Sequence, residues 1–167
     1  MNRRLLILGE HGQLARALLN AARPAGWEPI AAGRAAADLT RRGAVSRLIE
    51  SVRPDAVINA AAYTDVDKAE REPERARAIN TDGAGEAAEA SQRAGARFVH
   101  VSTDYVFSRS GPHDEDARPR PANRYGQTKY AGELAVIAAA PDAAVVRASG
   151  IFSGWGCDFP SAMWRLE

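Results

Sequence analysis

A chain of 167 residues, 46% of them hydrophobic, is long enough to enclose one substantial domain core. Its 22 basic and 21 acidic side chains leave a formal charge of +1, which gives no basis for a nucleic-acid surface or a polybasic membrane surface. The single cysteine, Cys157, has no internal disulfide partner and three scattered histidines do not make a structural zinc site, a composition suited to a reducing cytoplasm.

The first stretch is the most informative. Residues 3–8 (RRLLIL) predict a buried strand that Gly9 and Gly12 turn directly into a helix over Gln13 to Ala22. The apolar run is too short to span a membrane and lacks a secretory cleavage pattern. The spacing is Gly9-x-x-Gly12-x-x-Ala15, whose last position accepts alanine where helix and sheet pack closely. Gly9 permits a tight turn, and Gly12 lets backbone approach a diphosphate at the positive end of the helix. No Lys-Ser/Thr pair follows the last glycine, so a triphosphate loop is disfavoured and a dinucleotide is the expected ligand. The plain alternative is a strand-to-helix corner with no ligand.

A second strand is expected over Trp27 to Ala32, ending at Gly33-Arg34. An acidic residue at that tip would suit the ribose hydroxyls of NAD. Arg34 stands there instead and is available to a ribose 2′-phosphate, which favours NADP(H); otherwise it is a solvated surface arginine. The next helix is expected over about Arg41 to Ser51 with Thr40 as its cap, followed by a short buried strand from Ala56 to Ala60. Ala60 and Ala61 are small enough to let a cofactor pass over the sheet edge. Asp65, Asp67, Glu70 and Glu72 are interleaved with Lys68, Arg71 and Arg75, the pattern of a solvated, salt-bridged helix, and no metal is assigned to them.

Pro73 suits the first turn of one long helix from about Glu74 to Arg93, with Ala76, Ile79, Ala84 and Ala87 toward the sheet, and Gly95 ends it. A strand from Arg97 then runs into Ser102-Thr103-Asp104-Tyr105, polar residues at the edge where parallel sheets bind ligands. Residues 108–123, with three prolines, are expected to make an excursion over the cleft. The following helix, from about Arg124 to Ala139, places Tyr125 and Lys129 one turn apart on one face. A lysine ammonium beside a phenol lowers its pKa and helps it exchange a proton with a carbonyl oxygen, and the Thr103 hydroxyl is placed to hold that oxygen. Ala143 to Ala148 supplies a fifth strand. Strand and helix alternate throughout, which predicts an α/β, Rossmann-like, doubly wound parallel sheet with right-handed crossovers, in the order 3-2-1-4-5.

The ordered set GEHGQLARALL, ADLT, PDAVINAAAYTDVDKAE, AINTDGAGEAAEA, VHVSTDYVF, PANRYGQTKYAGE and VVRASGIFSGWGCDF resembles the dTDP-4-dehydrorhamnose reductases of the extended short-chain dehydrogenase/reductase family. The resemblance implies reduction of dTDP-4-dehydro-L-rhamnose to dTDP-L-rhamnose, a precursor of bacterial surface polysaccharide. In it, Tyr125 protonates the 4-keto oxygen, Lys129 assists and binds the nicotinamide ribose, and Thr103 orients the substrate, while NADPH or sometimes NADH delivers hydride. It also implies Gly9, Gln13 and Leu14 around the diphosphate, Gly33-Arg34 and Asp38-Leu39 near adenosine, Ala60, Ala61 and Tyr63 along the cofactor, and Asp104 and Tyr105 toward nicotinamide and sugar.

Two positions depart from that pattern: Gly150 stands where the family carries an aromatic ring, and Asp158 where it carries asparagine. The resembling proteins continue into a smaller substrate domain, so residues 1–167 are expected to form the NAD(P)-binding domain with the substrate lobe largely absent and little turnover alone. Dimers, and magnesium at an interface supplied by the later region, belong to the resemblance and fall on no residue here. A nucleotide-sugar epimerase or dehydratase, and an inactive nucleotide-binding or assembly subunit, are the rival expectations.

Overall fold

Strand β1 (Arg3–Leu8) lies inside the sheet, with its last four residues buried, and passes through Gly9 to helix α1 (Gln13–Ala22). The structure, a computed structural model, describes residues 3–108 and 111–153; Cys157, Asp158 and the expected segment 159–166 lie outside the described residues. β2 (Trp27–Ala32), β3 (Ala56–Asn59), β4 (Arg97–Thr103) and β5 (Ala144–Ala148) run parallel to β1, all paired in register. Among the described residues no helix is long and apolar enough to cross a membrane.

The strand order is β2-β1-β3-β4-β5, so β3 lies between β1 and β4 and not outside β2, which corrects the expected 3-2-1-4-5 order. Burial explains the difference. Three of the four β3 residues are buried, including the neighbours Ala56 and Val57, whose side chains point to opposite faces, as suits an interior strand. β2 is half-exposed and contains Pro29, which has no N–H to give to a ladder and is tolerated at an edge.

Helices cover both faces. Ala15 and Ala22 of α1 pack on Leu5, Ile7 and Ala56. On the other face Val45 and Ile49 of α2 (Ala44–Val52), Ala84, Ala87 and Ala88 of α5 (Gly83–Arg93) and Val136 of α6 (Arg124–Ala139) enclose Leu6, Leu8, Val57 and Phe98. Thr40 does not cap α2: its N–H and hydroxyl both turn to Asp38, and the Glu86 carboxylate of α5 accepts from the N–H groups of Gly43 and Ser46 at the start of α2.

The expected acidic and basic helix is α3 (Val66–Arg71), capped by Asp65, whose side chain accepts from the Lys68 N–H; Lys68 and Arg75 both pair with Glu72. The long helix is α4 (Pro73–Arg77) and α5 joined by a π-helical turn over Ala78–Asp82. That turn changes which side of the helix faces inward. Ala84 and Ala87 reach the sheet core, whereas Ala76 packs with Ala69 and Tyr125 in a separate cluster, and Ile79 lines a cavity at the tip of β2.

Candidate functional site

The carboxyl ends of β3, β4 and β5, the turn after β1 and the starts of α1 and α6 meet around a cleft of about 540 Å³. Gly9 has φ +110, and a Cβ there would press on the backbone of Ala60 and Ala61, so glycine is required by both conformation and space. The turn is anchored on both sides: Gly9 N–H donates to the Ala32 carbonyl and Ala60 N–H to that of Leu8. At the start of α1, Gly12 occupies the N-cap position with no side chain capping the helix N–H groups, which are therefore left to the cleft.

Gly12, Gln13, Leu14, Ala60, Thr103, Tyr125 and Lys129 line this one cleft. Gly9, Arg34, Asp38, Leu39 and Ala61 line an adjoining cavity of about 120 Å³ at the tip of β2. Arg34 Nε is 3.0 Å from Asp38 Oδ2, with its side chain 66% exposed. Hydrogen bonds from the Thr40 hydroxyl and N–H, helped by Arg34 and opposed by burial, hold the Asp38 carboxyl down at about 2. The Glu10 carboxylate lies beside Gly33, adding an acidic group at this tip that strand-end reasoning missed because it comes from the β1 turn.

Three expected residues stand apart from the cleft. Tyr63 is held away by Asn80, which accepts from its N–H and donates to its carbonyl, and its hydroxyl reaches Glu72 at 3.2 Å. Asp104 lines a neighbouring cavity with Tyr130 and Arg147. Tyr105 is half-exposed and meets the Tyr125 ring edge-on, with centroids 5.5 Å apart. The described residues 111–123 do not roof the cleft either. His113 stacks on Phe107 at 4.1 Å and Arg120 N–H bonds the Val106 carbonyl, so this excursion covers the Asp104 side. Gly150 has open space around the position of a Cβ.

The side chains of Thr103, Tyr125 and Lys129 are nearly enclosed. Thr103 is the last residue of β4; its Oγ1 accepts from Tyr105 N–H and donates to Asp104. Asn123 caps α6 by accepting from Gly126 N–H, which fixes the first turn carrying Tyr125. The phenol stands above its ordinary pKa, not below it: burial disfavours phenolate, a hydrogen bond with Thr103 opposes that, and Asp104 and Tyr105 reinforce it. The lowering of the phenol that the one-turn spacing suggested is not found; the Lys129 Nζ is bonded to the Val101 carbonyl at 2.6 Å and lies 3.4 Å from His100 Nε2. Burial, partly offset by Glu133, brings Lys129 down to about 8.

Sequence reasoning missed His100, Asn59, Asn80 and Glu133. His100 sits on the face of β4 shared with Phe98 and Ser102, and a histidine inside an alternating buried strand was the available signal. Glu133, four residues after Lys129 on α6, binds Arg147 at 2.7 Å and Ser102 inside the protein.

The chain matches the family described as RmlD substrate binding domain over residues 3–167. It is 45% identical over 170 residues to a dTDP-4-dehydrorhamnose reductase of Mycolicibacterium smegmatis, covering 99% of this chain and 51% of that protein. With the Sinorhizobium fredii enzyme of the same name it is 42% identical, covering 98% and 55%. A crystal structure of dTDP-4-dehydrorhamnose reductase from Bacillus anthracis in complex with NADP superposes with TM-score 0.94 at 38% identity, covering 99% of this chain and 60% of that one. The chain thus spans about half the length of the curated relatives it matches.

Proposed function

The chain belongs to the RmlD substrate binding domain family, and from that premise we propose that it carries the cofactor cleft and proton donor of an NADPH-dependent dTDP-4-dehydrorhamnose reductase. The observation that carries this reading is the convergence of Thr103, Tyr125 and Lys129 in the cleft that opens on the glycine turn. The cleft fits a dinucleotide: Gly12 presents no side chain, the α1 N–H groups carry no side-chain cap, and a smaller cavity adjoins it at the tip of β2, on the side where the adenosine end would lie. Gly9, Gly12, Gln13 and Leu14 would hold the diphosphate, with Arg34 toward the 2′-phosphate. Bound NADPH supplies the hydride.

The residues of the chain do the rest. Thr103, which lines the cleft together with the phenol, orients the sugar carbonyl beside it. Tyr125 gives its proton to the carbonyl oxygen; its raised pKa keeps the acid form present through neutral pH. Lys129 sits behind it with its nitrogen already anchored on Val101.

Replacing Tyr125 by phenylalanine retains the ring and removes the acid, so NADPH consumption coupled to formation of the reduced sugar should fall by roughly 10²-fold or more while NADPH affinity is kept. An active phenylalanine variant removes Tyr125 from this role. One NADPH consumed per product separates the reductase from an epimerase that recycles its cofactor. Turnover by the 167-residue chain alone should be low, and should rise when the remaining region of a relative is supplied, because catalysis needs the sugar held against the cofactor.

A further inference from the structure

His100 lies at the centre of an enclosed polar chain. It pairs in register with Asn59 on the neighbouring strand, and both side chains are fully buried. Asn59 Nδ2 is 3.2 Å from His100 Nδ1, and His100 Nε2 is 3.4 Å from Lys129 Nζ. A third group sets the amide's orientation: the Ala61 N–H donates to Asn59 Oδ1 at 3.2 Å, which turns the Nδ2 hydrogens toward the ring. With Nδ1 accepting, a neutral imidazole carries its hydrogen on Nε2, aimed at Lys129. An ammonium has three donors and no lone pair, so only the free amine accepts that hydrogen.

We propose that His100 is a positioning residue for Lys129: locked by Asn59 with its proton on Nε2, it donates to the lysine nitrogen and favours the free amine, which keeps one N–H on the Val101 carbonyl and turns the other to the cleft. The use made of this amine rests on the reductase reading; the hydrogen-bond arrangement itself does not. Once Tyr125 has given its proton to the carbonyl, the phenolate takes one from the lysine ammonium, forming O–H and breaking N–H with no change of oxidation state. His100 stabilises the amine so formed, and water in the cleft returns the proton. The opposite tautomer would require Asn59 to turn its oxygen to the ring and abandon the Ala61 N–H, beside the backbone on which Gly9 packs.

Burial already favours the free amine, and the charged surroundings do little to reverse it. On α6, Glu133 favours the ammonium, but Arg147 of β5 and Ser102 of β4 share its carboxylate. Tyr125 is a neutral phenol, and Asp104 and Tyr105, in the turn after β4, act on it. His11 and Arg16 line the cleft from the α1 side. Behind α6, the π-helical turn brings the uncharged Asn80 and Thr81 to Thr128, while Glu70 of α3 binds Arg124 N–H and Glu72 binds Tyr63. Burial, with Lys129 adding to it, pushes His100 down to about 3, so the ring is neutral wherever the lysine titrates.

The chain has two lysines, Lys68 and Lys129, so residues 1–167 grown with [13Cε]lysine give two side-chain signals that a Lys68→Arg variant assigns. Long-range 1H–15N spectra of its three histidines read the His100 tautomer directly. The expected result is a neutral His100 protonated on Nε2 at pH 7 and a Lys129 titration near 8. His100→Leu, which removes the donor, should move that titration upward by roughly one pH unit, and His100→Gln, which keeps an N–H near the Nε2 position, should largely restore it. A proton on Nδ1, an imidazolium at pH 7, or a Lys129 titration unmoved by His100→Leu overturns the proposal. The tautomer is measured on the unaltered protein, so a variant that fails to fold does not decide the matter. Failure of the reductase reading shows separately, as absent NADPH binding by a protein whose His100 and Lys129 are in the expected states.

Discussion

In the proposed reading Arg34 would carry the preference for NADPH, and its surroundings oppose as well as support that role. Its guanidinium is shared with Asp38, and the Glu10 carboxylate lies beside Gly33 at the same strand tip. A 2′-phosphate brought here gains the arginine and meets two carboxylates. Arg34→Ala should therefore weaken NADPH binding by roughly tenfold and leave NADH within about twofold, read by fluorescence titration. Equal losses for both would point to a damaged fold. Arg34, Thr103, Tyr125 and Lys129 were legible in the sequence because each is placed by a neighbouring element: a strand tip, a strand end, one helix face. Asn59, His100 and Asn80 were not, since their partners lie 41, 29 and 48 residues away and exist only once the chain is packed.

Helix α6 and the π-helical turn are fitted to each other closely. A Cβ on Gly132 would run into the Asn80 carbonyl, and Asn80 meanwhile holds both backbone groups of Tyr63 and the Thr128 hydroxyl. Gly132→Ala should therefore destabilise the protein despite alanine's better helix propensity, by about 1–3 kcal/mol as overpacking does, read from the urea midpoint. An unchanged or higher midpoint would mean that the two segments separate without cost. Hydrophobic periodicity located β1, α1, β2 and α6 and the existence of the long helix. It missed the π turn, because one extra residue in a helical turn leaves no mark on a sequence of small residues such as AINTDGAGEAAEA. It also misplaced the start of α2, because the acceptor for its first N–H groups is Glu86, which lies 43 residues beyond Gly43.

At the scale of the whole molecule, acid should weaken the fold through two windows. His100 is moved from 6.5 to about 3 in the folded state, mainly by burial. Between those values the unfolded chain binds a proton that the folded one does not, so stability falls as pH drops, by up to about 1.4 kcal/mol per unit. Asp38, lowered from 3.8 to about 2 chiefly by its Thr40 hydrogen bonds, adds a loss of the same sign lower down. Urea unfolding at pH 7, 5 and 3 should show the decline, and His100→Gln should flatten it above pH 4; a variant as acid-sensitive as the parent would exclude the histidine as its source. The strand order β2-β1-β3-β4-β5 has a consequence of another kind. A polypeptide leaves the ribosome amino end first, and domains form as their segments emerge. Here β1 and β2 come first, and β3, β4 and β5 then each attach to the edge left open by the strand before, β3 on β1, β4 on β3, β5 on β4. No pair already formed has to part to admit a latecomer, so the sheet grows in one direction during synthesis, away from the edge that Pro29 helps to close.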